Sequence, residues 1–175
     1  MEPFRKQAID GFDKLYREHV EQVARWAARL GGAEIDVDDV VQEVFVAVHK
    51  QLSKFRGEAQ VKTWLYRITA NQVAERRRKD RWRRWLGGAA GDVAGQLPSP
   101  ALTPVESLER REASLRVYRA LDKLNQRYRN LIILFELEKL SGNEIAALTG
   151  MSLDSVWVTL HRARAQFVKR LKEQS

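Results

Sequence analysis

From Gly87 to Pro104 the chain loses the helical rhythm that governs the rest of it. Gly87-Gly88-Ala89-Ala90-Gly91 is followed by Pro98-Ser99-Pro100 and Pro104, conformational punctuation without an apolar period. Such a stretch offers no face to a core, so the apolar residues on either side must be buried separately. The sequence therefore predicts an all-α protein of two small helical domains, residues 1–86 and 105–175, joined by a flexible linker at 87–104. Its 175 residues suffice for two such units.

The first domain opens with Phe12, Leu15, Tyr16, His19, Val23, Trp26, Ala27 and Leu30, at three- and four-residue steps along one helix face. Gly31-Gly32 ends that helix. Asp36 is placed to cap the next, with Asp38 and Asp39 at its positive end. Val37, Val40, Val41, Val44, Phe45, Val48 and Leu52 form its buried stripe. After a loop at Phe55-Arg56-Gly57-Glu58, a third helix is expected from Val61 to Leu86, with Trp64, Leu65, Ile68 and Val73 inward. Arg67, Asn71, Glu75 and Arg78 fall at steps of four, four and three, which puts them on one exposed stripe.

Seven of the ten residues from Arg76 to Trp85 are basic. A helix that is apolar on one side and cationic on the others can track a phosphate backbone, and Asn71 can both donate to and accept from a base edge. Phe55 and Trp64 are candidates to stack on unpaired bases, with Trp64 better explained as core. For Trp82 and Trp85, packing on the linker or a partner and contact with nucleic acid both stay open.

In the second domain a helix is expected from Val105 to Leu124, then one from Gln126 to Lys139 capped by Asn125. Ser141-Gly142-Asn143-Glu144 is a capping box. Ala146 allows close helix approach, Gly150 a left-handed turn, and Ser152 caps the helix that follows, with Val156 and Leu160 inward. This reads as a helix-turn-helix, presenting Asp154, Ser155, Trp157, Val158, Thr159 and Arg162 toward a major groove. An ordinary helical hairpin would share the capping box, but the full combination on a basic chain favours DNA.

The formal charge of +8 and pI near 10 suit a polyanionic partner. There is no cysteine, which removes thiol chemistry and disulfides. Asp38, Asp39 and Glu43 lack calcium-loop spacing, and His19, His49 and His161 are scattered. No metal, cofactor or catalytic apparatus is expected, so the protein is not read as an enzyme. Met1-Glu2-Pro3-Phe4-Arg5-Lys6 precedes no signal-peptide core, and no apolar run approaches membrane length. A soluble, cytoplasmic protein is expected.

Asp38-Asp39-Val40-Val41-Gln42-Glu43-Val44-Phe45, Phe55-Arg56-Gly57, Trp64-Leu65-Tyr66-Arg67-Ile68-Thr69-Ala70-Asn71, Glu144-Ile145-Ala146 and Leu160-His161-Arg162-Ala163-Arg164 together resemble the extracytoplasmic-function branch of the sigma-70 family. The resemblance spans nearly all of the chain outside the linker. It implies a subunit that binds core RNA polymerase and directs initiation at promoter DNA, held silent by an anti-sigma factor. By this resemblance Asp39, Gln42, Glu43 and Phe45 grip the polymerase clamp helices. Phe55, Arg56 and Lys62 surround a base flipped from the −10 element. Arg67 and Asn71 lie on the −10 reading helix, and Arg76, Arg77, Arg78 and Arg81 on its phosphate-holding extension. Ser152, Ser155, Trp157, Thr159, Arg162 and Arg164 belong to the −35 contact.

The chain departs from the family at Trp157, Val158 and Thr159, where cations are common. That shifts the expected phosphate anchors to Arg162, Arg164, Arg127 and Arg129. A stand-alone helix-turn-helix regulator and a polymerase-docking adaptor are the alternative readings.

Overall fold

A computed structural model describes the backbone of residues 2–32, 35–52, 61–86 and 104–174, and the side chains of these except 2–10, 84 and 104–110. All regular structure among the described residues is helical, and no strand occurs there. The chain divides into two compact units, Met1–Val93 and Ala94–Ser175. The division falls inside the expected linker; residues 87–103 themselves lie outside the described residues, as do Phe55 and Arg56.

In the first unit three helices pack against one another: α1 (Glu2–Gly31), α2 (Val37–Gln51) and α3 (Val61–Trp85). Gly32 takes a positive φ of 82°, a conformation that disfavours any side chain, and this ends α1. A Cβ on Gly31 would meet the Ile35 side chain at 3.0 Å, so Ile35 packs closely on the end of α1. The Asp36 carboxylate then accepts a hydrogen bond from the Asp39 amide at 3.1 Å and caps α2. The three-to-four spacing of Val23, Trp26, Ala27 and Leu30 meets that of Val40, Val44 and Val48, and all seven are fully buried. Trp26 lies edge-on to Tyr66 of α3, centroids 5.4 Å apart. Each large side chain removed from water in this way contributes about 1.5–3 kcal/mol.

The second unit holds α4 (Pro104–Asp122), α5 (Gln126–Ile132), α6 (Gly142–Thr149) and α7 (Leu153–Lys172). Asn125 caps α5 by accepting from the Tyr128 amide at 2.9 Å. The expected single helix from Gln126 to Lys139 is corrected: α-helical bonding stops at Ile132, and Ile133–Leu137 forms a π-helical turn. Leu131, Ile132, Ile133 and Leu134, where the bonding changes, are consecutive and all buried, a run wider than the one-faced stripe of a surface helix. The wider turn closes with the Glu138 amide donating to the Ile133 carbonyl at 2.9 Å.

Candidate polymerase and promoter interfaces

On α3 the residues Arg67, Asn71, Glu75 and Arg78 are all exposed along one stripe. Lys62, one turn earlier, is exposed as well, and Trp64 is half-buried. Glu75 interrupts the cationic surface. A hydrogen bond from Lys79 at 2.9 Å, that ammonium's charge and the charge of Arg78 hold the Glu75 carboxyl below the usual carboxylate range. It stays an anion among the arginines, and Lys79 is partly neutralised by it.

The arginine run divides by position on the helix. Arg76 turns toward α2, where its guanidinium reaches Asp39 Oδ2 at 3.1 Å and Glu43 Oε1 at 3.3 Å. Arg77 donates to the Gly31 carbonyl at 2.8 Å, meeting the negative end of α1. These two cations pin α3 to its neighbours. Arg78, Arg81, Trp82, Arg83 and Trp85 are exposed, with Arg83 bonded to Asp80 at 2.6 Å. Sequence spacing grouped Arg76 and Arg77 with the phosphate-facing residues because it shows a run of charge without showing which residues lie over α1 and α2.

On α2, Asp39 and Gln42 are exposed and Glu43 half-buried, while Phe45 is buried at 4% exposure. The expectation that Phe45 belongs to an external contact is thereby corrected. Its ring packs edge-on against Tyr16 at 4.6 Å and Phe12 at 6.3 Å within the unit. Val46, which the sequence reading passed over, is 52% exposed and follows Gln42 by one helical turn. An isolated apolar residue on the polar face of α2 was the signal that pointed to it.

In the second unit the capping box forms in full. The Ser141 amide donates to Glu144 Oε2 at 2.8 Å and the Glu144 amide donates to Ser141 Oγ at 3.3 Å. Gly150 carries the turn at φ 73°, and Ser152 accepts from the Ser155 amide at 3.3 Å to start α7. Val156, Thr159, Leu160 and Ala163 are buried, an i, i+3, i+4, i+7 stripe. The expectation that Thr159 faces a groove is corrected, because it belongs to that inner stripe. Asp154, Trp157, Val158, His161 and Arg162 are exposed, and Ser155 is half-buried.

Two of the expected anchors have internal partners. Arg129 is 1% exposed and bonded to Asp122 at 2.8 Å, which corrects its assignment to phosphate; Arg127 is exposed. Arg164 reaches Glu136, its Nε at 2.9 Å from the carboxylate, and lies over the Phe135 ring at 4.8 Å. Trp157 packs edge-on to the same ring at 5.6 Å and covers Gly142, where an added Cβ would meet Trp157 Cζ2 at 2.7 Å. The absence of a side chain at 142 is what lets α6 and α7 close around that indole.

The described residues thus form a three-helix unit with a cationic outer helix and, in the second unit, a capped helix-turn-helix. Residues 15–83 match the family model Sigma-70 region 2, and residues 114–167 match Sigma-70, region 4. The RNA polymerase sigma factor CnrH of Cupriavidus metallidurans is 34% identical over 172 residues, covering 94% of this chain and 88% of that protein. A solved structure of CnrH with the cytosolic domain of CnrY matches at TM-score 0.61 and 29% identity, covering 97% of this chain and 96% of that one. The sigma factor RpoE of Bartonella quintana, solved with the anti-sigma factor NepR, shares the fold at TM-score 0.62 and 22% identity, over 93% and 97% of the two chains. The chain belongs to the sigma-70 family of RNA polymerase sigma factors, in its extracytoplasmic-function branch. Its function is that of the family: promoter-specific initiation by RNA polymerase.

Proposed function

We propose that the two units divide the promoter between them while mounted on core polymerase. The first docks through Asp39, Gln42 and Glu43 of α2, with Val46 beside them, and faces the −10 element with α3. Asn71 reads a base edge, because its amide both donates and accepts, and Arg67 and Lys62 flank it. Phe55 and Arg56 are assigned to a flipped base by family likeness alone. Arg78 and Arg81 hold phosphates, whereas Arg76 and Arg77 act as positioning residues that fix α3. In the second unit, Trp157 and Arg162 meet the −35 element, with Ser152 and Ser155 shaping the start of α7 and Arg164 steadying Phe135 beneath it.

The observation that carries this reading is the order of two geometries along one chain. An exposed Arg67–Asn71–Arg78 stripe on a pinned helix comes first, and a separate capped helix-turn-helix follows. Flipping a base out of a duplex costs a few kcal/mol, which polymerase binding and arginine–phosphate contacts together can offset. Free protein is therefore expected to hold promoters weakly. The chain acts by binding rather than catalysis and works in the cytoplasm, where the polymerase is. Because CnrH and RpoE were solved with CnrY and NepR, a comparable anti-sigma partner is proposed to cover these surfaces.

Transcription with purified core polymerase on a genomic promoter library tests the reading. Defined start sites are expected only when chain and core are both present. Tight, specific duplex binding by the chain alone would favour an independent regulator, and core binding without altered promoter choice would favour an adaptor.

A further inference from the structure

Two large aromatic side chains stand in water at the end of α3. Trp82 is 60% and Trp85 75% exposed, although burying an indole is among the larger apolar gains available to a chain. Three positions apart, they lie on the same side of the helix, ring centroids 5.2 Å from each other and planes 35° apart. Arg78, Lys79 and Arg81 line one open depression with them. Lys79 is bonded to Glu75, and among the described residues Arg78 and Arg81 are the guanidinium groups that line the depression with the two rings.

We propose that Trp82 and Trp85 form a stacking platform for the unpaired bases of single-stranded nucleic acid. The chemistry selects that occupant. Guanidinium groups attract phosphates whether or not the strand is paired, but an indole face needs a base face, and in a duplex those faces are covered by neighbouring base pairs. Cations beside two open indoles match a strand whose phosphates and bases are both accessible. The site rests on the reading of α3 as the promoter-holding helix and extends its contacts from phosphates to bases. A partner protein, or the chain's own segment after Leu86, would use the same rings without any preference for bases.

The test titrates the full chain at low salt with a short deoxythymidine strand and with an abasic strand carrying the same phosphates. The natural protein is expected to bind the base-bearing strand about tenfold or more tightly than the abasic one. Trp82→Ala with Trp85→Ala should bring the two affinities together and leave the salt dependence unchanged. Trp82→Phe with Trp85→Phe should retain most of the preference, which separates stacking from damage to the fold. A uridine strand run alongside tells promoter strand from transcript as the source of the same chemistry. Equal binding of base-bearing and abasic strands by the natural protein, or a preference that survives the double alanine change, overturns the proposal. No polymerase is involved, so failure here leaves the promoter reading standing. Conversely, loss of transcription with core would leave a measured base preference intact.

Discussion

The helices α3 and α7 both belong to arginine-rich regions, yet they place their cations differently. Along α3 two arginines turn inward as fasteners, Arg76 to Asp39 and Glu43 and Arg77 to Gly31, and Arg78 and Arg81 remain on the outer surface. Around α7, Arg129 is buried on Asp122, and Arg164, itself exposed, is bonded to Glu136 and lies over Phe135. Arg162 is the exposed arginine of the first three turns of α7, beside the apolar Trp157 and Val158 and the acidic Asp154. We propose from this difference that α3 holds DNA chiefly by charge, whereas the start of α7 holds it chiefly by shape and apolar contact. A count of arginines along the sequence does not reveal that difference.

The two internal ion pairs give the sharpest contrast in stability. Arg129 is 1% exposed and Asp122 36%, whereas Arg76 is 26% exposed and its partners 54% and 43%. Arg129→Ala should cost the second unit about 2–4 kcal/mol, read by denaturant unfolding, since it removes packing and strands a half-buried carboxylate. A loss under 1 kcal/mol would show that the pair is not structural. Asn71→Ala comes next: about 1–3 kcal/mol of promoter affinity should be lost by the holoenzyme, with core association unchanged on co-purification. A fall in core association would remove Asn71 from the reading face.

Gly142→Ala should destabilise the second unit by about 1–3 kcal/mol, because the new methyl collides with Trp157 and Leu153. Gly11→Ala on α1 meets nothing within 4 Å and should instead stabilise the first unit by about 0.5–1 kcal/mol. Thermal unfolding of the pair decides it, and equal shifts would refute the packing assigned to Trp157. Arg76→Ala should have the smallest destabilising effect of these changes, about 0.5–1 kcal/mol, since its pair is partly solvated. A cost matching that of Arg129→Ala would erase the distinction between the two fasteners.

Much of this was legible from spacing alone. Asp36, Asn125, Ser141 and Ser152 act as caps where their residue types and positions implied. Periodicity also placed Val40, Val44 and Val48 inward and Arg67, Asn71 and Arg78 outward. The assignments that differed have separate causes. Phe45 sits on a stripe that the sequence itself marked as buried, but family likeness drew it to the surface. Thr159 is polar, yet its position one turn after Val156 sets it inside. Arg129 is buried although its helix, Gln126–Ile132, is mostly polar, and the π-turn beyond it begins within four consecutive buried residues that no periodic pattern expresses.

The division between charge and shape is tested most directly by the salt dependence of promoter binding by polymerase carrying the natural or substituted chain. Arg78→Ala with Arg81→Ala should lower the slope of log affinity against log salt by about two, as expected for two lost phosphate contacts. Arg162→Ala should lower it by about one or less, while Trp157→Ala weakens binding with the slope unchanged. A slope that responds more to Arg162 than to the α3 pair would contradict the account.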